Sequence, residues 1–154
     1  MSVCVFHKVL SDEECNNIIA FCKLRATLLD DPSYSVYSRY DFIDKSNKFK
    51  DIPCLKPYIL GSRWFFTSYE TGGFINIHQD GHSTVAHQQS KYTVLFYLND
   101  NYSGGELVVP AMNMSIRPQR GSIIIMDQET HHYVNKILTG YKNILRVDAI
   151  DAIN

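Results

Sequence analysis

The sequence predicts a mainly β fold, a sandwich or barrel with one helix packed outside it. From residue 61 onward, short segments rich in aromatic and β-branched residues alternate with turn sequences such as TGG, DNYSGG, PQRG and LTG. Short strands at such spacing are typical of all-β sandwiches and barrels. Before them, a single segment has the apolar period of a helix, and this helix is expected on the outside of the sheets.

The N-terminal segment is predicted to form a strand over residues 3–10 and a helix over residues 12–25. Ser11 and Glu14 have the spacing of a capping box, in which each side chain satisfies a backbone N–H at the start of the helix. An apolar helix face is expected to pack on the core, because such a face is stable only when it is buried. Its residues are Cys15, Ile18, Ile19 and Cys22.

The middle of the chain is less regular, with a predicted turn at residues 30–33 and a predicted strand over residues 35–43. The segment 80–91, DGHSTVAHQQSK, is polar and aperiodic. It is predicted to be a long loop of the kind that often serves as a lid or binding loop. The other predicted strands are 62–69, 74–78, 92–99, 105–110, 113–118, 121–127, 131–137 and 143–150.

The bulk properties narrow the class of protein. The chain has 154 residues and a net charge of −1 without a run of Lys or Arg, which fits one domain over residues 1–154 and argues against a nucleic-acid partner. The N-terminal sequence has no leader pattern, and the apolar runs are far shorter than the roughly 20 residues that span a bilayer, so no membrane association is expected. The four cysteines form no CxxC pair, which favours a reduced, cytoplasmic protein.

The predicted strand FINIH ends in a group of residues with metal-binding chemistry. Residues i and i+2 of a strand point to the same face, so His78 and Asp80 present a nitrogen and an oxygen to one point. They are either two ligands of a metal site or an ordinary polar strand end. The pair His131 and His132, after an apolar strand, and Lys142, in TGYKN, favour the metal site. Two imidazoles and one carboxylate form the facial triad of non-heme iron oxygenases.

In its context this pattern resembles the Fe(II)/2-oxoglutarate dioxygenases of the prolyl 4-hydroxylase-like group. The resemblance covers residues 62–148 through five ordered motifs: an aromatic strand, a Tyr and a glycine turn before H-x-D; a T-x-x-x-Y-L-N strand; a GGE turn; a P-x-x-G turn with an apolar strand; and H-x-V with a Gly and a basic residue downstream. These stand here as WFFTSYETGGFINIHQDG, YTVLFYLNDNYSGGEL, PQRGSIIIMD and HYVNKILTGYK. The N-terminal FHKVLSDEECNNIIAFC is also similar to the helical lead-in of that group.

The resemblance implies a role for individual residues at the metal. His78 and Asp80 correspond to the first two iron ligands. His132 corresponds to the third ligand in place of His131, because the downstream Val, Gly and basic residue of the motif follow His132 in register.

The resemblance also implies a co-substrate site. Lys142 corresponds to the basic residue that pairs with the distal carboxylate of 2-oxoglutarate, a role that Arg fills in other branches. Tyr97 corresponds to a hydroxyl donor to that carboxylate, and Tyr69 to a Tyr at the metal-side end of the co-substrate. Apolar walls are expected from Leu95, Val134 and Ile144.

By the same resemblance, the expected fold is a double-stranded β-helix, a jelly roll with a supporting N-terminal helix. The expected activity is hydroxylation of a substrate C–H bond coupled to oxidative decarboxylation of 2-oxoglutarate, with Fe(II), O₂ and ascorbate as an optional addition. A protein or peptide is the expected substrate, with peptidyl proline as the leading target. Hydroxylation of another residue or of a small molecule is the alternative within the family. A non-catalytic jelly-roll binding module and a cupin-like protein with another metal are the alternatives outside it.

The sequence does not assign a role to four further basic residues. Arg146 either adds a second positive charge to the pocket or forms a structural ion pair. Lys91 stands near a position where relatives often carry an Arg. His82 and His87, in the loop 81–91, either contact substrate or are solvated.

Overall fold

The fold is a jelly roll built almost entirely from antiparallel strands. The computed structural model describes residues 2–25, 27–29 and 37–152. Strands account for 46% of the structure and helix for 14%, and the sheets are antiparallel, which confirms the predicted fold class. The predicted turn at 30–33 and the first two residues of the predicted strand 35–43 lie outside the described residues.

The described elements are one α-helix, two 3₁₀ helices and fifteen strands. The α-helix is α1 (Asp12–Arg25), and the 3₁₀ helices are Pro53–Leu55 and Pro110–Met112. The strands are β1 (Val3–Phe6), β2 (Thr27–Leu29), β3 (Tyr37–Ile43), β4 (Tyr58–Tyr69), β5 (Ile75–His78), β6 (Thr84–Val85), β7 (Gln88–Gln89), β8 (Tyr92–Tyr97), β9 (Ser103–Gly104), β10 (Leu107–Val109), β11 (Met114–Ile116), β12 (Ile123–Asp127), β13 (His132–Val134), β14 (Ile137–Thr139) and β15 (Lys142–Asp151).

Two sheets make up the body of the protein. The large sheet has the strand order β1-β12-β8-β15-β4-β3-β2, and the small sheet has the order β11-β10-β13-β5. Two short pairs, β14-β9 and β6-β7, complete the strand set in the described residues. The long strands β4 and β15 pair from Lys142↔Tyr69 to Asp151↔Tyr58 and form the centre of the large sheet.

The large sheet is buried on both faces, because successive side chains of a strand point to opposite sides. In β8, Val94 and Phe96 join a core cluster with the helix, whereas Leu95 and Tyr97 join a second cluster that includes Leu107 and Val134 of the small sheet. This explains why YTVLFY and IIIMD read as continuous apolar runs rather than alternating ones. Each fully buried side chain of this size contributes about 1.5–3 kcal/mol.

The predicted helix and its cap are confirmed. The Ser11 N–H donates to Glu14 Oε1 at 3.0 Å, and the Glu14 N–H donates to Ser11 Oγ at 3.1 Å, which is the reciprocal pairing of a capping box. Cys15 and Cys22 are fully buried in the core beside the large sheet. All four cysteines are free thiols. In the described part of the chain, no helix combines the length and apolarity that a bilayer crossing requires.

The first predicted strand was too long, since β1 ends at Phe6 rather than at residue 10. Lys8 has a left-handed φ of 52°, which turns the chain out of the sheet. The N–H groups of Val9 and Leu10 then both donate to the carbonyl of Gly121 at 3.0 Å. Gly121 itself has a φ of 84°, and a Cβ at this position would overlap the Leu10 carbonyl, so only glycine fits there.

The prediction of an irregular loop over 80–91 was wrong in part, because the segment contains the hairpin β6–β7. Ala86 and His87 join its strands with φ values of 47° and 65°, which is the backbone of a two-residue primed turn. Val85 is the one buried side chain between Gly81 and Gln89, and it packs against the position of Gly61 in β4. The hairpin is therefore anchored on the large sheet rather than extended into solvent.

Candidate active site

A cavity of about 470 Å³ lies between the two sheets and contains the residues singled out from the sequence. Its floor comes from the inward face of the large sheet and its opposite wall from β5, β10 and β13. Leu95, Val134 and Ile144 line it, as expected from the sequence. The hairpin segment from Gly81 to Thr84 forms one side of its mouth.

His78, Asp80 and His132 meet on one side of this cavity. Their ligand atoms all lie within 4.8 Å of one another. The antiparallel pairing of β5 with β13 places His78 opposite His132, and their ring centroids are 4.3 Å apart. Asp80 follows two residues after His78, and its Oδ1 lies 3.4 Å from His78 Nε2 and 3.5 Å from His132 Nε2. Three donor atoms of facial-triad type thus converge on one point.

Backbone carbonyls orient both imidazoles. His78 Nδ1 lies 2.7 Å from the Asn76 carbonyl oxygen, and His132 Nδ1 lies 2.9 Å from the Thr130 carbonyl oxygen. Because a carbonyl only accepts, each Nδ1 carries a proton, and each ring directs its Nε2 toward Asp80. This second bond of the imidazole is the usual arrangement for a histidine that binds a metal.

A hydrogen bond also orients Asp80: one carboxylate oxygen accepts it, and the other oxygen faces the cluster. The Thr93 hydroxyl donates to Asp80 Oδ2 at 2.7 Å, whereas Oδ1 faces the two Nε2 atoms and Arg146 Nη1, at 3.7 Å. Burial alone would raise the pKa of Asp80, but hydrogen bonds from His132 and His78 and the charge of Arg146 outweigh it and hold the pKa well below the usual range. The carboxylate is therefore ionised, as a metal ligand must be.

Lys142 occupies the deep end of the cavity. Its side chain is 1% exposed, its ammonium donates to the Gly105 carbonyl at 3.0 Å, and the rings of Tyr69 and Tyr97 lie 5.1 and 5.3 Å from Nζ. Burial lowers the pKa of Lys142 to about 7, partly opposed by the charge of Glu106. Among the described residues, no carboxylate is within ion-pair distance of this ammonium. A buried cation without a counter-ion favours the binding of an anion.

Arg146 combines both roles that the sequence left open. Its guanidinium lines the cavity and also pairs with Asp148, with Nη2 3.0 Å from Asp148 Oδ1. Ser83 of the hairpin segment donates to the other oxygen of Asp148 at 2.6 Å. These contacts connect β15, the hairpin and the triad carboxylate in one network.

Other sequence candidates lie away from the site. His131 is exposed, in contrast to the buried His132. Lys91 forms a surface ion pair of 3.5 Å with Asp151 and does not line the cavity. His87 is exposed at the turn of the hairpin. His82 lines the cavity mouth, and its Nδ1 contacts the Ser90 carbonyl and Gln128 Oε1 at 2.9 and 3.0 Å.

Sequence reasoning missed Thr93, Asp148 and Arg39. Thr93 is the first residue of the T-x-x-x-Y-L-N motif, so the sequence placed it on the same strand as Tyr97. The motif did not indicate its hydrogen bond to Asp80. Asp148 lies two residues after Arg146 and therefore on the same strand face, which is a signal that could have found it. Arg39, in β3, reaches the cavity only through the sheet register Arg39↔Thr67.

The donor set fits Fe(II). Two neutral imidazoles and one carboxylate at adjacent corners are the ligands of non-heme iron oxygenases, and they leave open positions on the metal. No thiolate lies in the cluster, which argues against a site of the structural zinc type.

Comparison with known proteins adds a family match and several structural matches. The family model described as the 2OG-Fe(II) oxygenase superfamily matches residues 64–146. Among curated proteins, none matches this sequence.

Solved structures with the same fold extend over nearly the whole chain. A viral collagen prolyl hydroxylase from Paramecium Bursaria Chlorella virus-1, in complex with 2-oxoglutarate, has a TM-score of 0.75 at 20% identity and covers 97% of this chain and 96% of its own. HygX from Streptomyces hygroscopicus, with nickel, 2-oxoglutarate and hygromycin B bound, has a TM-score of 0.69 at 13% identity, covering 98% and 83%. A prolyl hydroxylase from Trichoplax adhaerens, in complex with a hypoxia inducible factor peptide fragment, has a TM-score of 0.67 at 14% identity, covering 97% and 83%.

Proposed function

We propose a peptidyl-proline hydroxylase-like activity for this chain, from the premise that it belongs to the 2OG-Fe(II) oxygenase superfamily and is a 2-oxoglutarate-dependent dioxygenase. Its cofactors are Fe(II), the co-substrate 2-oxoglutarate and O₂. The observation that carries the proposal is the presence, in one cavity, of the cluster His78, Asp80 and His132 together with the buried Lys142.

In this proposal, His78 Nε2, Asp80 Oδ1 and His132 Nε2 hold the iron. When bound, the metal centre supplies the oxidising chemistry, in which O₂ and 2-oxoglutarate give succinate, CO₂ and a hydroxylated substrate. The protein contributes the orientation of the ligands. The Asn76 and Thr130 carbonyls fix the two imidazoles, so little rearrangement is needed when the metal enters.

Lys142 binds the distal carboxylate of 2-oxoglutarate in this proposal. Its ammonium is buried between the rings of Tyr69 and Tyr97, where a low local dielectric strengthens attraction to an anion. Tyr97 is fully buried, and burial raises the pKa of its hydroxyl well above the ordinary value, so it stays protonated and serves as a hydrogen-bond donor. Tyr69 lines the cavity beside Lys142 and is proposed to contact the metal-side end of the co-substrate.

Apolar side chains around the cluster exclude water from the reacting groups. Leu95, Val134 and Ile144 are buried and line the cavity. We infer that residues 1–154 form one catalytic domain, which the coverage of 97% of the chain by a single relative supports. A cytoplasmic location and an optional use of ascorbate stay predictions from the sequence.

Peptidyl proline is the leading substrate because two of the similar structures are prolyl hydroxylases by name, one of them in complex with a peptide fragment. A small-molecule hydroxylase is the second candidate, since HygX has the same fold with hygromycin B bound. Lys142 is buried and has no carboxylate at ion-pair distance among the described residues, which is costly unless an anion such as the co-substrate binds there, so Lys142 supports the 2-oxoglutarate site over a module with an empty barrel.

Anaerobic addition of Fe(II) and 2-oxoglutarate to the purified protein tests the proposal. We expect the weak visible charge-transfer band of the chelate to appear in the wild type, to vanish in His132→Ala and to persist in His131→Ala. The two variants remove neighbouring imidazoles, of which only His132 belongs to the cluster. A band that is absent from folded wild-type protein, or that survives His132→Ala, contradicts the assignment. In air, 2-oxoglutarate turnover with proline-rich peptides then tests the substrate.

A cupin-like protein with another metal and no co-substrate makes a different prediction for Lys142. In that case Lys142→Ala leaves 2-oxoglutarate affinity and activity unchanged, whereas the proposal requires both to fall.

A further inference from the structure

Three guanidinium groups surround one phenylalanine ring at the outer end of the cavity. The Cζ atoms of Arg39, Arg63 and Arg146 lie 4.3, 4.8 and 5.8 Å from the ring centroid of Phe65. All four residues line the cavity. Arginine stacks well on aromatic faces and keeps its N–H groups available at the edge of its plane. Phe65 is therefore a platform that holds cationic hydrogen-bond donors at the mouth.

The three guanidinium groups of this outer end differ in their partners. Arg63 is paired with Asp41, with Nη2 2.8 Å and Nε 2.9 Å from Oδ2. Arg146 is paired with Asp148 and also lies 3.7 Å from the Asp80 carboxylate. Arg39 has no carboxylate within ion-pair distance among the described residues. Within that part of the chain, Arg39 is therefore the guanidinium that can attract an anion from solution.

Arg146 also retains an unused donor. Its Nε is buried and has no hydrogen-bond partner in the described part of the chain. A buried donor that lines a cavity and lacks a partner is costly unless a ligand supplies an acceptor. Unlike the charge of Arg39, this observation concerns hydrogen bonding, and it shows that the bonds of Arg146 are incomplete within the described residues.

The outer end is separate from the end where Lys142 lies. Lys142 and Arg146 are both on β15 and face the cavity, and four residues of strand span about 13 Å. The triad lies near Arg146, whose Nη1 is 3.7 Å from Asp80 Oδ1. A molecule held at Phe65 would thus lie near the triad and away from Lys142.

We propose that the outer end of the cavity binds an anionic group of the substrate, a carboxylate or a phosphate, through Arg39 and Arg63 above the ring of Phe65. This inference rests on the proposed function and specifies its substrate class: a molecule with a negative charge close to the C–H bond that is hydroxylated. Asp41 holds Arg63 in place, and Arg39, which has no carboxylate at ion-pair distance in the described part of the chain, provides the attraction.

Fluorescently labelled peptides test this proposal on the Fe(II)- and 2-oxoglutarate-loaded protein under anaerobic conditions. The peptides have blocked ends and a central Ala-Pro-Gly flanked by Glu, phosphoserine, Gln or Lys. We expect the Glu or the phosphoserine peptide to bind about tenfold more tightly than the Gln peptide, and the Lys peptide to bind most weakly. The preference should shrink at high salt, because the mouth is partly exposed and Arg63 is 56% exposed.

Arginine variants assign the preference to this surface. Arg39→Gln should abolish most of it, Arg63→Gln should reduce it, and Arg39→Lys should retain part of it because it keeps the charge without the planar fork. Arg25→Gln is the matched control, since it removes a guanidinium that lies 5.5 Å from the Phe21 ring on α1, away from the cavity. Equal binding of the Glu and Gln peptides, or a preference that survives in both Gln variants, overturns the proposal.

Two further measurements distinguish a peptide from a small-molecule anion, and a failure of the substrate inference from a failure of the proposed function. N-acetylglutamate and glycerol phosphate are tested as competitors, and Arg39-dependent binding of these probes without peptide binding identifies a small-molecule substrate. If no anionic probe binds in an Arg39-dependent manner, the proposal is wrong. The charge-transfer band is recorded in the same samples: with the band present, only the substrate inference fails, and without the band the proposed function fails together with it.

Discussion

The cavity has two positively charged ends, and they differ in how the charge is held. At the deep end, Lys142 is fully enclosed, and burial lowers its pKa to about 7. At the outer end, Arg39 and Arg63 lie on the ring of Phe65 at a mouth that solvent reaches. An enclosed charge interacts strongly with one well-placed anion, whereas a charge near solvent interacts weakly and is screened by salt.

This difference suits the two molecules that the proposed reaction requires. The co-substrate is the same in every turnover, so a rigid, enclosed site with one ammonium suits it. A substrate that arrives from solvent needs attraction over a distance and tolerance of its flanking groups, which exposed guanidinium groups on an aromatic platform provide. The triad shares the cavity with both ends, and its carboxylate lies close to the outer one, with Asp80 Oδ1 3.7 Å from Arg146 Nη1.

The largest expected effect comes from removal of the deep charge. Lys142→Met should weaken 2-oxoglutarate binding by roughly 30-fold or more, because truncation of a buried, hydrogen-bonded charge partner costs at least about 2 kcal/mol. The melting temperature of the free protein should stay the same or rise, since an apolar side chain of similar length replaces an enclosed ammonium that has no counter-ion within the described residues. Anaerobic titration and thermal melts measure the two quantities.

Lys136→Met is the control for this variant, since Lys136 lies 5.7 Å from the ring of Phe74 and is exposed. It should change neither quantity by a measurable amount. Unchanged 2-oxoglutarate affinity in Lys142→Met would remove the proposed distinction between the two ends.

The pH dependence of co-substrate binding sharpens the same comparison. The charged form of Lys142 binds the carboxylate, and this form is lost as pH rises through about 7 in the free protein. The apparent affinity should therefore fall by up to about tenfold per pH unit above that value and level off near the affinity of Lys142→Met. Lys142→Arg should remove the dependence, because Arg stays charged over this range. Titrations from acidic to alkaline pH that give a flat wild-type profile would refute the assignment.

The same pKa shift has a consequence for stability, with the opposite sign. In the unfolded chain Lys142 keeps its ordinary pKa of 10.5, while in the folded, ligand-free protein the value is about 7. Between these values the unfolded state binds more protons, so the contribution of this group to stability rises with pH. Ligand-free protein should lose this trend in Lys142→Met, which chemical denaturation at several pH values would measure.

A smaller effect is expected at the centre of the cavity. Thr93→Val removes the hydroxyl that donates to Asp80 Oδ2, so the carboxylate can rotate, and metal affinity should fall about tenfold. Thr67→Val is the matched control, because Thr67 also lines the cavity but is not bonded to Asp80. Fe(II) titration under anaerobic conditions compares the two variants, and equal affinities would show that Asp80 is oriented without Thr93.

The sequence predicted the triad and Lys142 better than the outer end of the cavity, for a physical reason. His78 and Asp80 are two residues apart, and the motifs that resemble the dioxygenase family include them and Lys142, so they were candidates from the sequence alone. Most of the fold followed from apolar runs and turn residues in the same way. Arg39 and Phe65 are brought together only by the register of β3 with β4, and register depends on the whole sheet rather than on neighbours in sequence.

The hairpin of residues 84–89 shows the same limit. Its strands are only two residues long, so no alternation could be detected, and its turn contains Ala86 and His87 instead of the Asn-Gly or Asp-Gly that usually indicates such a turn. Val85 was the available signal, as an isolated apolar residue in a polar segment. Its burial depends on contact with Gly61 of β4, which the local sequence does not specify.

The smallest effect is expected at Lys91, the basic residue outside both ends. Its ammonium is 61% exposed and lies 3.5 Å from Asp151, which is 43% exposed. Exposed ion pairs of this kind contribute about 0–1 kcal/mol, so Lys91→Gln should leave the melting temperature, 2-oxoglutarate affinity and peptide binding nearly unchanged. A marked loss of 2-oxoglutarate affinity in Lys91→Gln would mean that positive charge acts on the cavity from outside it. The contrast between an enclosed and an exposed end would then not account for how the protein selects its ligands.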